Sequence, residues 1–228
     1  MNEPVWVQFD NAEAVAQAAC QRILKMAREA INTHGRFQLV LAGGTTPEQT
    51  YRLLAGAQAD WPHWHIYFGD ERCLPPTHPG RNSWMAEQAW IGQVAIPSSQ
   101  IHPIPAELGP EQGAENYGRL IHSALPFDLV LLGMGEDGHT ASLFPGHRHP
   151  ANAAVVAVHD APKPPPERVS LSTATLGTCR HLLYLITGSG KQQAVTAWRN
   201  GDPLPISQIQ PMGSSEVLID TASLESGL

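Results

Sequence analysis

The sequence predicts an α/β fold in which a mostly parallel sheet is covered by helices on both faces. Three observations carry that reading. Strand-like runs alternate with stretches of helical periodicity along the whole chain. The strand runs, such as Phe37–Leu41 and Phe127–Leu132, are almost continuously apolar, as strands buried on both faces must be. Polar, glycine-bearing turns follow several of these runs directly, at the sheet edge where open α/β folds bind ligands.

Taken in order, Val5–Phe9 reads as a short strand. Asp10 is the expected N-cap of a helix with apolar residues at Val15, Ala18, Ala19, Ile23, Met26, Ala27, Ala30 and Ile31, stopped at His34-Gly35. The strand Phe37–Leu41 leads into Gly43-Gly44-Thr45-Thr46. Thr46 as N-cap, Pro47 at the first helical position and Gln49 three residues on make a capping-box start for a helix to about Ala55. Trp64–Phe68 is a strand running into Gly69-Asp70-Glu71-Arg72 and a loop to Asn82. A helix follows over Ser83–Trp90, then a short strand over Ile101–Ile104 and a helix over Pro110–Ala124. Beyond the strand Phe127–Leu132, strands are expected at Ala154–Val158, Val169–Leu171, His181–Ile186 and Glu216–Asp220. A helix runs from Lys191 to about Trp198. No repeat or linker divides the chain, so residues 1–228 read as one domain.

Composition bounds the function. A net charge of −7 and a pI near 5.8 leave no basic field for nucleic acid. Three scattered cysteines without CxxC spacing fit a reduced compartment. The first 13 residues carry no basic flank and no apolar core of a secretory signal, and no apolar run reaches a membrane span. A soluble, cytoplasmic protein is expected. The 20 glycines and 20 prolines fall short of a low-complexity composition, so they punctuate an ordered fold.

Each turn motif has a plain alternative. Gly43-Gly44-Thr45-Thr46-Pro47 reads both as an anion cradle at a helix N-terminus and as an ordinary capped turn. Gly188-Ser189-Gly190-Lys191 resembles a Walker A fragment, but Leu185 stands where its first glycine belongs and Gln192 where Ser or Thr belongs. Gly133, Gly135 and Gly138 satisfy G-x-G-x-x-G, yet Pro145-Gly146 stops any helix that a dinucleotide site needs. Asp137-Gly138-His139 offers a general base with a carboxylate beside it, and Asp70-Glu71-Arg72 adds carboxylates and a guanidinium; for either motif in isolation a surface ion cluster is the favoured reading. His63 and His65, expected on one strand face, and His147 and His149 lack any companion ligand pattern, so no metal is expected. Ser142 stands outside a G-x-S-x-G elbow, which points acyl chemistry toward an activated water.

Together, LAGGTTP (41–47), FGDERCLPPTHPGRNS (68–83), FDLVLLGMGEDGHTASLFPG (127–146), RVSLS (168–172) and LITGSGK (185–191) resemble the 6-phosphogluconolactonase family, within the glucosamine-6-phosphate isomerase/lactonase superfamily. The stretches follow family order over about two thirds of the chain. The resemblance implies a three-layer α/β/α sandwich with a Rossmann-like sheet. It also implies cofactor-free hydrolysis of 6-phospho-D-glucono-1,5-lactone to 6-phosphogluconate in the pentose phosphate pathway. The isomerase-deaminase branch carries a glutamate where this chain has Phe144, and DEY where it has Asp70-Glu71-Arg72. Both departures favour the lactonase.

On that resemblance His139 is the expected base, oriented by Asp137 or by Asp70. Arg72 and the backbone near Gly43 and Gly44 stabilise the oxyanion or bind phosphate, and Arg168 and Lys191 are the first phosphate candidates, with Thr45 and Thr46 assisting. Asn82 and Ser83 contact sugar hydroxyls. The expected partner is a phosphorylated sugar lactone, handled by a monomer or weak homo-oligomer. The alternatives are a glucosamine-6-phosphate-type isomerase/deaminase and a non-catalytic sugar-phosphate sensor.

Overall fold

A computed structural model of the chain describes residues 3–150 and 152–224. Two sheets organise it. The larger has six strands, in spatial order Val5–Phe9, Ser214–Asp220, Cys179–Ile186, Phe127–Gly133, Phe37–Leu41 and Trp64–Phe68, every pairing parallel. They are β1 (Val5–Phe9), β2 (Phe37–Leu41), β3 (Trp64–Phe68), β5 (Phe127–Gly133), β8 (Cys179–Ile186) and β9 (Ser214–Asp220). The smaller is antiparallel, with β4 (Asp70–Arg72), β7 (Arg168–Leu171) and β6 (Val155–Val158) in that order. Helices α1 (Ala12–His34), α2 (Thr45–Ala55), α3 (Asn82–Ala89), α4 (Pro110–Ile121), α5 (Thr173–Gly177) and α6 (Gln192–Arg199) flank them. The predicted α/β sandwich on a mostly parallel sheet is the fold observed.

The core follows from the pattern. Every residue of β2 is buried, as are Phe127–Leu132 of β5, because helices cover these strands on both faces. Along α1, Val15, Ala19, Ile23 and Ala27 recur every four residues and are buried, and Gly35 ends the helix at φ 81° with its N–H on the Ile31 carbonyl. Trp90 meets Trp61 and Trp64 edge-on, and those two rings are tilted against each other.

Several local expectations are corrected. Asn11, not Asp10, caps α1, its side chain accepting the Ala14 N–H. Gly44, not Thr46, is the N-cap of α2. At φ 108° the glycine turns the chain into the helix early and leaves the Thr46 hydroxyl free to bond elsewhere. Ile101–Ile104 forms only a single bridge, Ile101 to Ile66, because Pro103 and Pro105 lack ladder donors. The turn expected at Gly69–Arg72 is in part a strand: Asp70–Arg72 belongs to the smaller sheet. His63 lies in a 3-10 turn before β3, so it shares no strand face with His65.

Candidate active site

The parallel strands β8, β5, β2 and β3 are neighbours, and their C-terminal ends open into one cleft of about 390 Å³. Each strand hands over to one of the turns singled out in the sequence. Gly43 and Gly44 come from the β2 turn, Gly69 from β3, Gly133 and Gly135 from β5, and Thr187 and Lys191 from β8. The smaller sheet adds a wall carrying Asp70, Arg72 and Arg168.

The β5 turn places His139 at the cleft. Its Nδ1 is 2.5 Å from Oδ1 of Asp137, which also accepts the His139 backbone N–H at 3.1 Å. Burial pushes the Asp137 carboxyl up, but these bonds and the imidazole's charge outweigh it and hold the group below the usual carboxylate range. Gly135 makes the tight turn possible: a methyl there would overlap Nδ1 and Cε1 of His139. Phe144 lies against the imidazole, ring centres 4.7 Å apart, and the Arg168 guanidinium stands 5.7 Å from the Phe144 ring centre. Ala141, also lining the cleft, has φ 49°, an uncommon conformation for a residue with a side chain.

The cations come from different elements. Arg72 and Arg168 are direct cross-strand partners in β4 and β7. Like charges so placed repel, and the arrangement favours an anion between or beside them. Arg72 Nη1 donates to the Gly80 carbonyl at 2.5 Å, while its buried Nε has no protein partner among the described residues. Burial lowers the pKa of Arg168, Asp70 counters this and Arg72 adds to it. Gly44, Thr45, Thr46 and Pro47 also line the cleft, so the N–H-rich, positive end of α2 abuts it. Thr46 Oγ1 is 2.6 Å from Thr187 Oγ1, tying the β2 and β8 turns together.

Ten of the twelve residues expected at the site line the cleft: Gly43, Gly44, Thr45, Thr46, Asp70, Arg72, Asn82, His139, Arg168 and Lys191. Asp137 stands behind His139. Ser83 is a correction: it does not line the cleft, and its backbone N–H donates to Glu71 at the start of α3. Asp70 is a second correction. Its carboxylate accepts from Asn82 Nδ2 at 3.0 Å and from Ser142 Oγ at 2.6 Å, so it does not orient the imidazole. Arg168 is also partly committed, with Nε and Nη2 donating to the carbonyls of Pro165 and Lys163.

Four contributors stand outside the twelve residues expected at the site. Lys163 and Thr187 line the cleft. Glu71, fully buried, accepts the backbone N–H groups of Arg72, Asn82 and Ser83 and pairs with Arg81 at 3.3 Å. It thereby caps α3 and sets Asn82 against Asp70. Asp220, buried at the end of β9, accepts the Gly188 N–H on both oxygens at 3.1 Å and fixes the turn that carries Lys191. Its position at a strand end was the available signal. No group of three or more His, Cys, Asp or Glu able to hold a metal occurs among the described residues, and no described helix is long and apolar enough to cross a membrane.

Residues 10–218 match the family described as glucosamine-6-phosphate isomerases/6-phosphogluconolactonase. The chain is similar to a 6-phosphogluconolactonase of Synechocystis, 33% identical with 92% of each chain covered. A 6-phosphogluconolactonase of Mycobacterium tuberculosis is 34% identical, again with 92% of each covered. The crystal structure of 6-phosphogluconolactonase from Thermotoga maritima superposes with a TM-score of 0.90 at 27% identity, covering 96% of this chain and 100% of that one.

Proposed function

The chain belongs to the family of glucosamine-6-phosphate isomerases and 6-phosphogluconolactonases, and from that premise we propose that it is a 6-phosphogluconolactonase. It hydrolyses 6-phospho-D-glucono-1,5-lactone to 6-phospho-D-gluconate, in the oxidative branch of the pentose phosphate pathway. The observation that carries the reading is the His139–Asp137 pair at a cleft that is also lined by Arg72, Lys163, Arg168 and Lys191.

The chemistry follows from which imidazole nitrogen is engaged. With Nδ1–H donating to Asp137, Nε2 is left as the acceptor and takes a proton from water as the oxygen attacks the lactone C1. The ionised Asp137 stabilises the imidazolium that forms. The tetrahedral intermediate then collapses, the bond from C1 to the ring oxygen breaks, and His139 returns its proton to that oxygen. The sum is addition of one water across the ester.

The developing oxyanion is met by Arg72, reinforced by the charge of Arg168. The phosphate is received by Lys191 with Thr45, Thr46 and the first-turn N–H groups of α2. Asn82, held by Asp70, is placed to meet sugar hydroxyls. We read residues 1–228 as one domain and place the reaction in the cytoplasm, where an anionic sugar phosphate is retained.

Isomerase or deaminase chemistry has less to work with. Phe144 sets an aromatic ring, not a carboxyl, beside the imidazole. The test is a coupled assay on freshly made 6-phosphogluconolactone, corrected for spontaneous hydrolysis, beside glucosamine 6-phosphate. Accelerated lactone opening without ammonia release is expected; ammonia release without lactone opening overturns the reading.

A further inference from the structure

The segment 161–166 reads Ala-Pro-Lys-Pro-Pro-Pro, and its proline content makes it stiff. The Arg168 guanidinium fastens it at the cleft edge, Nη2 donating to the Lys163 carbonyl at 2.7 Å and Nε to the Pro165 carbonyl at 3.1 Å. What this strap presents is Lys163, whose side chain is 70% exposed and which lines the cleft together with Lys191. Across the mouth stands Glu136, from the same turn as Asp137 and His139. Its Oε2 is 4.0 Å from the Lys163 ammonium. Its other oxygen lies against the Lys191 turn, 3.3 Å from where a Cβ on Gly190 would stand. One carboxylate thus neighbours both the Lys163 ammonium and the turn that carries Lys191. Lys191 registers both neighbours: burial lowers its pKa, Glu136 raises it and Lys163 lowers it further.

Two lysines lining one cleft, with a carboxylate close by, suit a second anion better than they suit each other. The Glu136–Lys163 contact is long and solvent-screened, so it holds the lysine weakly. A phosphate carries more charge and more acceptor oxygens, and it can engage both ammonium groups at once. We propose that Glu136 and Lys163 form a charged clasp at the mouth of the cleft, in which Glu136 is a built-in competitor that the sugar phosphate displaces to take Lys163 and Lys191 together. Glu136 and Lys163 are specificity-determining residues of the phosphate end, and they set the balance between substrate capture and release of the equally phosphorylated product. This rests on the assignment of Lys191 to the phosphate.

Steady-state kinetics of the full chain test it, using fresh 6-phosphogluconolactone as substrate and 6-phosphogluconate as product inhibitor. Glu136→Gln is expected to lower KM and the product inhibition constant about two- to five-fold, the size of a solvent-screened pair. Lys163→Met is expected to raise both by a similar factor. The benefit of Glu136→Gln is expected to shrink when Lys163 is already Met. With unphosphorylated glucono-1,5-lactone neither substitution should move KM. An unchanged or raised KM in Glu136→Gln overturns the clasp, as does a KM in Lys163→Met that stays at the parent value. Lys191→Met separates the two levels. If it raises KM while the other two variants are silent, the clasp fails and the phosphate assignment stands; if it too is silent, that assignment fails.

Discussion

Oδ1 of Asp137 accepts two hydrogen-bond contacts from a single residue, the ring Nδ1 of His139 at 2.5 Å and its backbone N–H at 3.1 Å. One carboxylate therefore fixes the tautomer and the rotamer of the imidazole together. Asp137→Asn keeps an oxygen at that place but removes the charge that stabilises the imidazolium. We expect kcat to fall about 10²-fold with little change in KM, measured on fresh lactone.

Gly135 is required by the same geometry. A methyl at this position would overlap the His139 ring and crowd Oδ1 of Asp137. Gly135→Ala is expected to lower kcat by at least about 10²-fold, because a base moved by an ångström no longer reaches the attacking water. Thermal unfolding should shift by only a few degrees, since the side chains that must move, His139 and Asp137, are partly exposed at the cleft rather than packed in the core.

Glu71 serves the site through α3. Its buried carboxylate answers three backbone N–H groups and the Arg81 guanidinium. Glu71→Gln leaves Arg81 with a buried charge only partly compensated by Glu107. A loss of about 3 kcal/mol in urea unfolding is expected.

Lys191 gives a pH dependence with a definite sign. Burial lowers its pKa from 10.5 and Lys163 adds to the effect, against the opposing pull of Glu136 and Asp137. The ammonium is therefore lost, as pH rises, before an ordinary lysine would lose its proton. Affinity for 6-phosphogluconate, measured by calorimetry, should be sustained near neutrality and decline on the alkaline side below the ordinary lysine pKa. In Lys191→Met that alkaline decline should be largely absent.

Much of this was legible in the chain because the information is local. Apolar runs placed the strands, and glycines after them marked the turns that converge on the cleft. The Asp137-Gly138-His139 spacing put a carboxylate within reach of an imidazole. What escaped depends on contacts between distant segments. Asp70–Arg72 is three polar residues whose strand character exists only because β7 pairs with it about a hundred residues later. That pairing sets Arg72 opposite Arg168, and no local pattern reveals it. Lys163 carries no local signal in its proline-rich segment, because the bonds that strap that segment to Arg168 are tertiary. The Thr46 cap was misread for the opposite reason: the capping signature is sound, but Gly44 begins the helix first and Thr187 claims the hydroxyl.

The central claim is that the imidazole of His139 activates the water, and the turnover of His139→Ala tests it most directly. With folding checked by circular dichroism and KM for the lactone determined alongside, the account predicts that kcat, corrected for spontaneous hydrolysis, falls by about 10²- to 10⁴-fold. A His139→Ala protein that turns over near the parent rate would contradict it.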